Sequence, residues 1–144
     1  MKPLEGVTIL EFSTMITASF AAMMMAEQGA RVIKVEPIEM GDPMRYIGSA
    51  KGGISSLFAN CNRGKESIRV NIKAEAGQAL IQKMMADVDV VIHNFRPGVM
   101  DKLNLGSERL RQRLDNDRKR IRADIAKRDA KDETKKKQSK TFGW

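Results

Sequence analysis

An amide, an aromatic ring and a cation follow a short apolar run near position 90, and these residue types together could hold a ligand. Residues 90–92 are β-branched and flanked by polar residues, which predicts a short buried strand. Asn94, Phe95 and Arg96 follow it, and a Pro-Gly turn at 97–98 closes the segment. Because ligands of open α/β sheets bind beyond the carboxyl ends of the strands, this segment predicts a ligand-binding edge.

The elements that must position this segment alternate between strand and helix. Apolar and β-branched runs predict strands at residues 7–12, 31–36, 67–72 and 90–92. Alanine-rich or amphipathic composition predicts helices at residues 18–28 and 74–86, with a short helix at 55–60. The apolar face of the helix at 74–86 is predicted to hold Leu80, Ile81, Met84 and Met85. The strand–helix repetition implies a mostly parallel sheet with right-handed crossovers, so the predicted fold class is α/β and Rossmann-like.

Charge divides the chain into a near-neutral body, residues 1–110, and a basic tail, residues 111–144. The whole chain has 26 Lys and Arg, 18 Asp and Glu and a net charge of +8, and the tail holds half of the cations but only a third of the acids. Leu110, Leu114, Ile121 and Ile125 make at most a thin apolar stripe on a helix, so we expect the tail to be a charged, solvated helix or disordered. Basic tails can bind nucleic acid, but interspersed acids and a lack of aromatics before Phe142 and Trp144 disfavour this.

Composition bounds the class of protein. The chain has 144 residues, 42% of them hydrophobic, which suffices for one packed domain. Its single cysteine, Cys61, forms no intramolecular disulfide and fits a reducing compartment. No apolar run approaches membrane-spanning length, and the acid Glu5 and an early strand are unlike a signal peptide. We therefore expect a cytoplasmic protein with no membrane partner.

The first strand-to-helix turn, at residues 12–20, is where a nucleotide-binding loop would lie. The G-x-G-x-x-G pattern is missing there, so a standard dinucleotide site is disfavoured. Backbone amides at a helix N-terminus can still meet an anion. Taken alone, this segment is better explained as an ordinary turn with helix caps.

Five motifs, in order and spacing, carry a resemblance to a known family. They are PLEGVTILEF at 3–12, GARVIKVEP at 29–37, GDPMR at 41–45, NRGK at 62–65 and NFRPGVMDKL at 94–103. Together they make residues 1–110 resemble the N-terminal part of the family III CoA-transferases. That family includes formyl-CoA transferase, the carnitine and bile-acid-inducible CoA-transferases and 2-methylacyl-CoA racemase.

The resemblance implies a site for coenzyme A, or for acyl-CoA as a substrate, in this body. The implied contacts are Ile16, Thr17, Pro37, Val70, Asn71, Ile72, Lys73, Asn94, Phe95, Arg96 and Lys102. The cations among them can pair with the phosphates of CoA, and the ring of Phe95 can pack on adenine or on the pantetheine chain. Pro37 supplies no cation where some members have one, Asn71 replaces a more usual acid, and Ile16 offers only its backbone. Without the resemblance, Arg96 would be a solvated charge and Phe95 a core residue.

The resemblance also implies the reaction, which is transfer of CoA between an acyl-CoA and a carboxylate through an Asp nucleophile. In the family the catalytic groups lie downstream of the matching segment, and the tail shows no match. We therefore assign no catalytic residue and no metal, and we expect a chain truncated before the nucleophile, with an incomplete sheet and a tail unrelated to the family. His93, the only histidine, is better explained as structural than as a general base.

Two alternatives stay open beside CoA transfer. One is an acyl-CoA racemase of the same family, which moves the α-proton with a His/Asp pair. The other is a catalytically inactive CoA-binding or interaction fragment. The resemblance implies a homodimer for full-length members, so we also expect exposed apolar surface near the methionine-rich helix at 23–25 and a tendency to associate.

Overall fold

The computed structural model describes residues 1–141, and within its last helix it describes the side chains except those at 109, 113–114, 117–118, 121, 129 and 132–141. Phe142 and Trp144, the tail aromatics, lie outside the described residues. The chain divides into two compact units, the first Met1–Ser107 and the second beginning at Glu108. The functional division predicted at Leu110 stays a prediction.

The first unit is built on a parallel sheet. The strands along the chain are β1 Thr8–Phe12, β2 Arg31–Glu36, β3 Ala50–Lys51, β4 Ile54–Ser55, β5 Glu66–Arg69 and β6 Val90–His93. Four of them form one sheet in the order β5-β2-β1-β6, and every neighbouring pair is parallel. The predicted α/β class with a Rossmann-like parallel sheet is confirmed. The antiparallel hairpin of β3 and β4 was not predicted.

Helices connect the parallel strands. They are α1 Thr17–Glu27, α2 Ser56–Asn62, α3 Glu75–Met84, α4 Val99–Lys102 and α5 Ser107–Thr141. Short 3₁₀ turns cover Pro43–Tyr46 and Met85–Asp87. Each predicted helix is present, and its ends differ by a few residues, as is usual for frayed helix termini.

The core lies around the two central strands, β1 and β2. Ile9, Leu10 and Val32 are almost completely buried, and α1 packs against Ile9 and Val32 through Ala22. Burying each such large aliphatic side chain stabilises the fold by about 1.5–3 kcal/mol. This core fixes the strand ends that carry the predicted site.

Two predictions about packing are wrong. Residues 90–92 were expected to be a buried strand, but β6 is an edge strand and pairs only with β1 among the described residues. Val90 is therefore 41% exposed and its two neighbours are half-buried. In α3, Leu80 was expected on the buried face with Ile81, but it is exposed while Ile81 is buried, because α3 buries only a narrow face.

The tail was expected to be either helical or disordered, and it is helical, since α5 runs from Ser107 to Thr141. Leu110 is buried and Ile125 is 53% exposed. Leu114 and Ile121, which were expected to complete a thin apolar stripe, have side chains outside the described set. Within residues 1–141, no helix is both long enough and apolar enough to cross a membrane.

Candidate functional site

A cavity of about 300 Å³ opens at the carboxyl ends of the parallel strands. Its walls come from the ends of β1, β2, β5 and β6 and from α4, through residues such as Ser13, Glu36 and Leu103. Six of the eleven residues implied by the family resemblance line it, namely Pro37, Val70, Asn71, Ile72, Lys73 and Phe95. The walls are mostly apolar, and a few polar groups interrupt them, as in small-molecule sites.

The other implied residues lie outside this lining. Ile16 and Thr17 stand exposed at the start of α1, and Arg96 and Lys102 are exposed on the loop and helix that follow β6. The exposed Asn94 precedes Phe95. The structure thus brings the β5 and β6 ends together in one cavity, while most of the cations that could meet phosphates remain in solvent.

The segment from Val70 to Lys73 forms one wall as a tight turn held by α3. Asn71 accepts a bond from the Lys73 backbone N–H at 3.1 Å, and Gln78 of α3 donates to the Ile72 carbonyl at 3.2 Å. Gly77 allows this approach, since a Cβ there would lie 2.0 Å from the Asn71 carbonyl oxygen. A side chain at position 77 would force the cavity wall to move.

Phe95 forms the opposite wall of the cavity and is half-buried. The sequence had left two roles open for this ring, contact with a ligand and packing in the core. The Phe95 ring lies near that of His93, with centroids 6.1 Å apart and planes tilted by 32°. Gly98 then takes a left-handed φ of 78° and precedes α4. Val99, at the start of α4, and Leu103, directly after it, line the cavity. The Pro-Gly turn therefore returns the chain to the site.

The turn between β1 and α1 borders the cavity through Ser13 and Thr14. Asn94 Nδ2 donates to the Thr14 carbonyl at 2.7 Å, and Asn94 Oδ1 accepts from the Thr14 N–H at 3.1 Å. Met15 has a φ of 63°, which is unfavourable for a residue with a side chain, and its N–H bonds to Asp42 Oδ1 at 3.2 Å. Two distant parts of the chain therefore hold this turn.

A buried ion network lies beneath the turn. Lys34 of β2 pairs with Glu11 Oε1 and with Asp42 Oδ2, each at 2.9 Å. Lys65 pairs with Glu11 Oε2 at 2.7 Å. Ser13 donates a very short hydrogen bond to Glu11. All four charged side chains are at most 2% exposed, so removing one partner would leave an uncompensated buried charge.

Burial lowers the pKa of the Lys65 ammonium, although its pairing with Glu11 opposes this effect. The ammonium also donates to the Ser19 carbonyl and to Asn62 Oδ1, at 2.8 and 3.0 Å. These bonds link α1, the end of α2 and β1 at one point. Lys65 therefore joins three elements of the first unit.

Glu36, at the end of β2, is an acid that forms part of the cavity wall. Burial would raise the pKa of its carboxyl, but hydrogen bonds from Arg45, Ser67 and the Asp42 N–H outweigh burial and lower the pKa to about 2. Arg45 makes two of these bonds, at 2.6 and 2.8 Å, and its guanidinium also lies 3.9 Å from the ring centroid of Phe58. Glu36 therefore remains a carboxylate and anchors the loop after β2.

Sequence reasoning missed this network, although all four of its charged residues lie in motifs that carry the family resemblance. Glu11 belongs to the PLEGVTILEF motif, and Lys34 belongs to the GARVIKVEP motif. Asp42 and Arg45 belong to the GDPMR motif, and Lys65 belongs to the NRGK motif. A signal was present in β2, where Lys34 interrupts a run that is otherwise apolar and buried. A cation at the centre of such a strand requires a buried anion nearby.

With this geometry established, comparison with known proteins identifies the family. Residues 4–116 match the model of CoA-transferase family III, which is more than three quarters of the chain. The chain therefore belongs to CoA-transferase family III. The match extends past Leu110, where the sequence predicted the family segment to end.

Individual relatives agree with the family. The chain is 39% identical over 108 residues to the acetyl-CoA:oxalate CoA-transferase of Acetobacter aceti, covering 75% of this chain and 28% of that protein. It is 40% identical over 109 residues to the human succinyl-CoA:glutarate CoA-transferase, covering 75% and 25%. The crystal structure of a CAIB/BAIF family protein from Brucella suis superposes with a TM-score of 0.72 at 35% identity, over 78% of this chain and 31% of that one. The chain thus spans about a quarter of the length of these curated relatives.

Proposed function

We propose that the first unit binds the CoA moiety of an acyl-CoA, and that the whole protein transfers CoA from an acyl-CoA to a carboxylate. The observation that carries the proposal is the cavity at the sheet edge. Six residues that the family resemblance implies as CoA contacts, from separate segments of the chain, line this one cavity. The relatives named above are themselves CoA-transferases, which supports transfer as the reaction of the whole protein.

The chemistry of the cavity fits one part of CoA better than all of it. Its volume of about 300 Å³ is at the lower end of the range for ligand cavities. Phe95, Ile72 and Pro37 offer apolar faces to the flat adenine ring, and Lys73 supplies a cation at the rim. The exposed Arg96 and Lys102 both follow the carboxyl end of β6 and would meet phosphate groups outside the cavity.

We assign no nucleophile to the described residues. Transfer requires a group that takes the acyl or CoA moiety, and the family resemblance assigns this task to an aspartate downstream of the matching segment. We therefore expect this chain to bind CoA but to form no covalent intermediate with an acyl-CoA. Mass spectrometry of the intact chain after incubation with an acyl-CoA, with and without hydroxylamine, checks this expectation.

Calorimetric titration of the full chain with CoA tests the binding proposal. We expect saturable binding to wild type and at least tenfold weaker binding to Phe95→Ala, because the ring forms a wall of the cavity. Phe20→Ala is the matched control, since Phe20 lies exposed on α1 outside the cavity. Absence of heat and of a thermal shift at millimolar CoA would show that the binding proposal is wrong.

Adenosine 3′,5′-bisphosphate and pantetheine, titrated separately, identify the part of CoA that the cavity holds. If the adenine end enters the cavity, the bisphosphate competes with CoA and Phe95→Ala weakens its binding. If pantetheine alone competes, the assignment of the adenine end is wrong, although CoA binding itself stands.

A further inference from the structure

The side chain of Asn94 is engaged with the backbone of a single residue. Its amide nitrogen donates to the Thr14 carbonyl at 2.7 Å, and its amide oxygen accepts from the Thr14 N–H at 3.1 Å. The last paired residues of the two strands are Phe12 and His93. Asn94 therefore continues the pairing of β1 and β6 with a side chain, beyond the point where the strands themselves end.

The turn to which Asn94 is hydrogen-bonded contains an unfavourable backbone conformation. Met15 has a φ of 63°, a left-handed value that costs free energy for any residue with a Cβ. Such a conformation persists only when its surroundings hold it. No described side chain caps α1, whose first residue is Thr17, so the helix itself adds little restraint at this end.

Asp42 holds the turn from the other side. Its Oδ1 accepts from the Met15 N–H at 3.2 Å and from the Met44 N–H at 2.9 Å. Its Oδ2 pairs with the buried Lys34 at 2.9 Å. The turn is thus fixed between the buried ion network and the loop that follows β6.

We propose that Asn94 is a positioning residue that holds the Thr14–Met15 turn in its left-handed form, rather than a group that contacts CoA through its side chain. The role follows from the paired hydrogen bonds to Thr14, which occupy both ends of the amide. Thr14 lines the cavity, so loss of the turn would displace one cavity wall and the start of α1. The effect of Asn94 on CoA affinity rests on the proposed function, but its effect on the turn does not.

Amide hydrogen exchange of the ligand-free full chain tests the turn directly. In Asn94→Ala we expect faster exchange, by about tenfold or more, both at Thr14, which loses its acceptor, and at Met15, whose N–H bonds to Asp42 instead. Asn94→Asp, which keeps an acceptor but cannot donate to the Thr14 carbonyl, should show the same change to a smaller degree. Asn116→Ala, at an exposed position of α5, is the matched control. Unchanged exchange at Met15 in Asn94→Ala would overturn the proposal.

CoA affinity supplies the second measurement. Asn94→Ala should weaken CoA binding about tenfold, because the binding-competent turn is less populated. Adding Met15→Gly should restore most of the affinity, since glycine adopts a positive φ without penalty. If the double variant binds as weakly as Asn94→Ala, or if Asn94→Ala binds as tightly as wild type, the proposal is wrong.

The two measurements separate failure of this proposal from failure of the proposed function. If wild type does not bind CoA at all, the CoA site is wrong, and exchange at Thr14 and Met15 alone decides the role of Asn94. Faster exchange at both residues would then support the turn-holding role. Normal CoA binding with unchanged exchange would leave the proposed function standing and would remove the role of Asn94.

Discussion

Replacing Glu36 by glutamine tests how strongly the buried carboxylate at the end of β2 stabilises the first unit. The change keeps the shape of the side chain and removes its charge. Glu36 accepts two bonds from Arg45, one from Ser67 and one from the Asp42 N–H. An amide cannot accept all four, because one end carries hydrogens. We therefore expect Glu36→Gln to destabilise the loop from Gly41 to Arg45.

The size of the effect follows from the pKa. Hydrogen bonds to Glu36 outweigh its burial and lower its pKa to about 2, from an ordinary value of 4.5. The difference between the folded and the unfolded pKa corresponds to about 3 kcal/mol in the free energy of unfolding. Because the folded pKa is the lower one, this stability is fully present above pH 4.5 and is lost as pH falls from 4.5 to 2. About half of it should be gone by pH 3.

Urea denaturation at pH values from 7 to 3, followed through a methyl NMR signal of Met44, measures this effect. Met44 is completely buried beside Asp42, so its signal reports on the first unit and not on α5. Glu36→Gln should be less stable than wild type by about 3 kcal/mol at pH 7, and the two proteins should converge as pH falls. Subtracting the two curves removes the contribution of the other acids, which titrate in both proteins.

Glu66→Gln is the control for this prediction. Glu66 also accepts two bonds from one arginine, Arg31, at 2.8 and 2.9 Å, but both side chains are more than half exposed. An exposed pair is screened by water, so its loss should be much smaller and depend little on pH. If the wild-type and Glu36→Gln stability curves ran parallel from pH 7 to pH 3, the reasoning from burial and pairing would be refuted.

Three further changes test the site and its surface. Gly77→Ala should displace the Asn71 backbone, weaken CoA binding in calorimetry by about tenfold and lower the thermal midpoint. Unaltered binding would show that this cavity wall need not be rigid. Lys73→Gln should weaken CoA binding severalfold and reduce its dependence on salt, which titrations at two ionic strengths measure. Phe20→Asp should reduce the expected self-association in sedimentation velocity, because Phe20 and Met24 of α1 are exposed together with Ile16, which directly precedes the helix. A wild-type chain that stays monomeric at all concentrations would contradict the dimer prediction.

The fold could be predicted from the sequence because its signals are local. The apolar runs of β1 and β2 and the composition of α1 each determine an element without reference to the rest of the chain. The burial of β6 could not be predicted in this way. The run at 90–92 looks the same at the edge or the centre of a sheet, and only the strand order shows that β6 has one neighbour among the described strands.

The site was only partly predictable, for a related reason. The segment 94–96 was singled out from its own residue types, and the segment 70–73 was singled out through the family resemblance. The sheet brings Phe95 to the same cavity as segment 70–73. The hydrogen-bond partners of Asn94 and Asp42 could not be predicted, because only the fold brings them close. Asn94 meets a residue 80 positions away and Asp42 one 27 positions away, and no local pattern contains such a pairing.

The buried network explains why the cavity can have an apolar lining and still a fixed shape. Apolar contacts alone allow neighbouring loops to slide, since they are not directional. Lys34 and Asp42 form a directional contact between two buried side chains, and Asp42 passes that restraint to the Met15 N–H. Charges outside the cavity lining thus determine where the β1–α1 turn lies. This is a physical reason for motifs such as GDPMR to accompany a site whose lining they do not form.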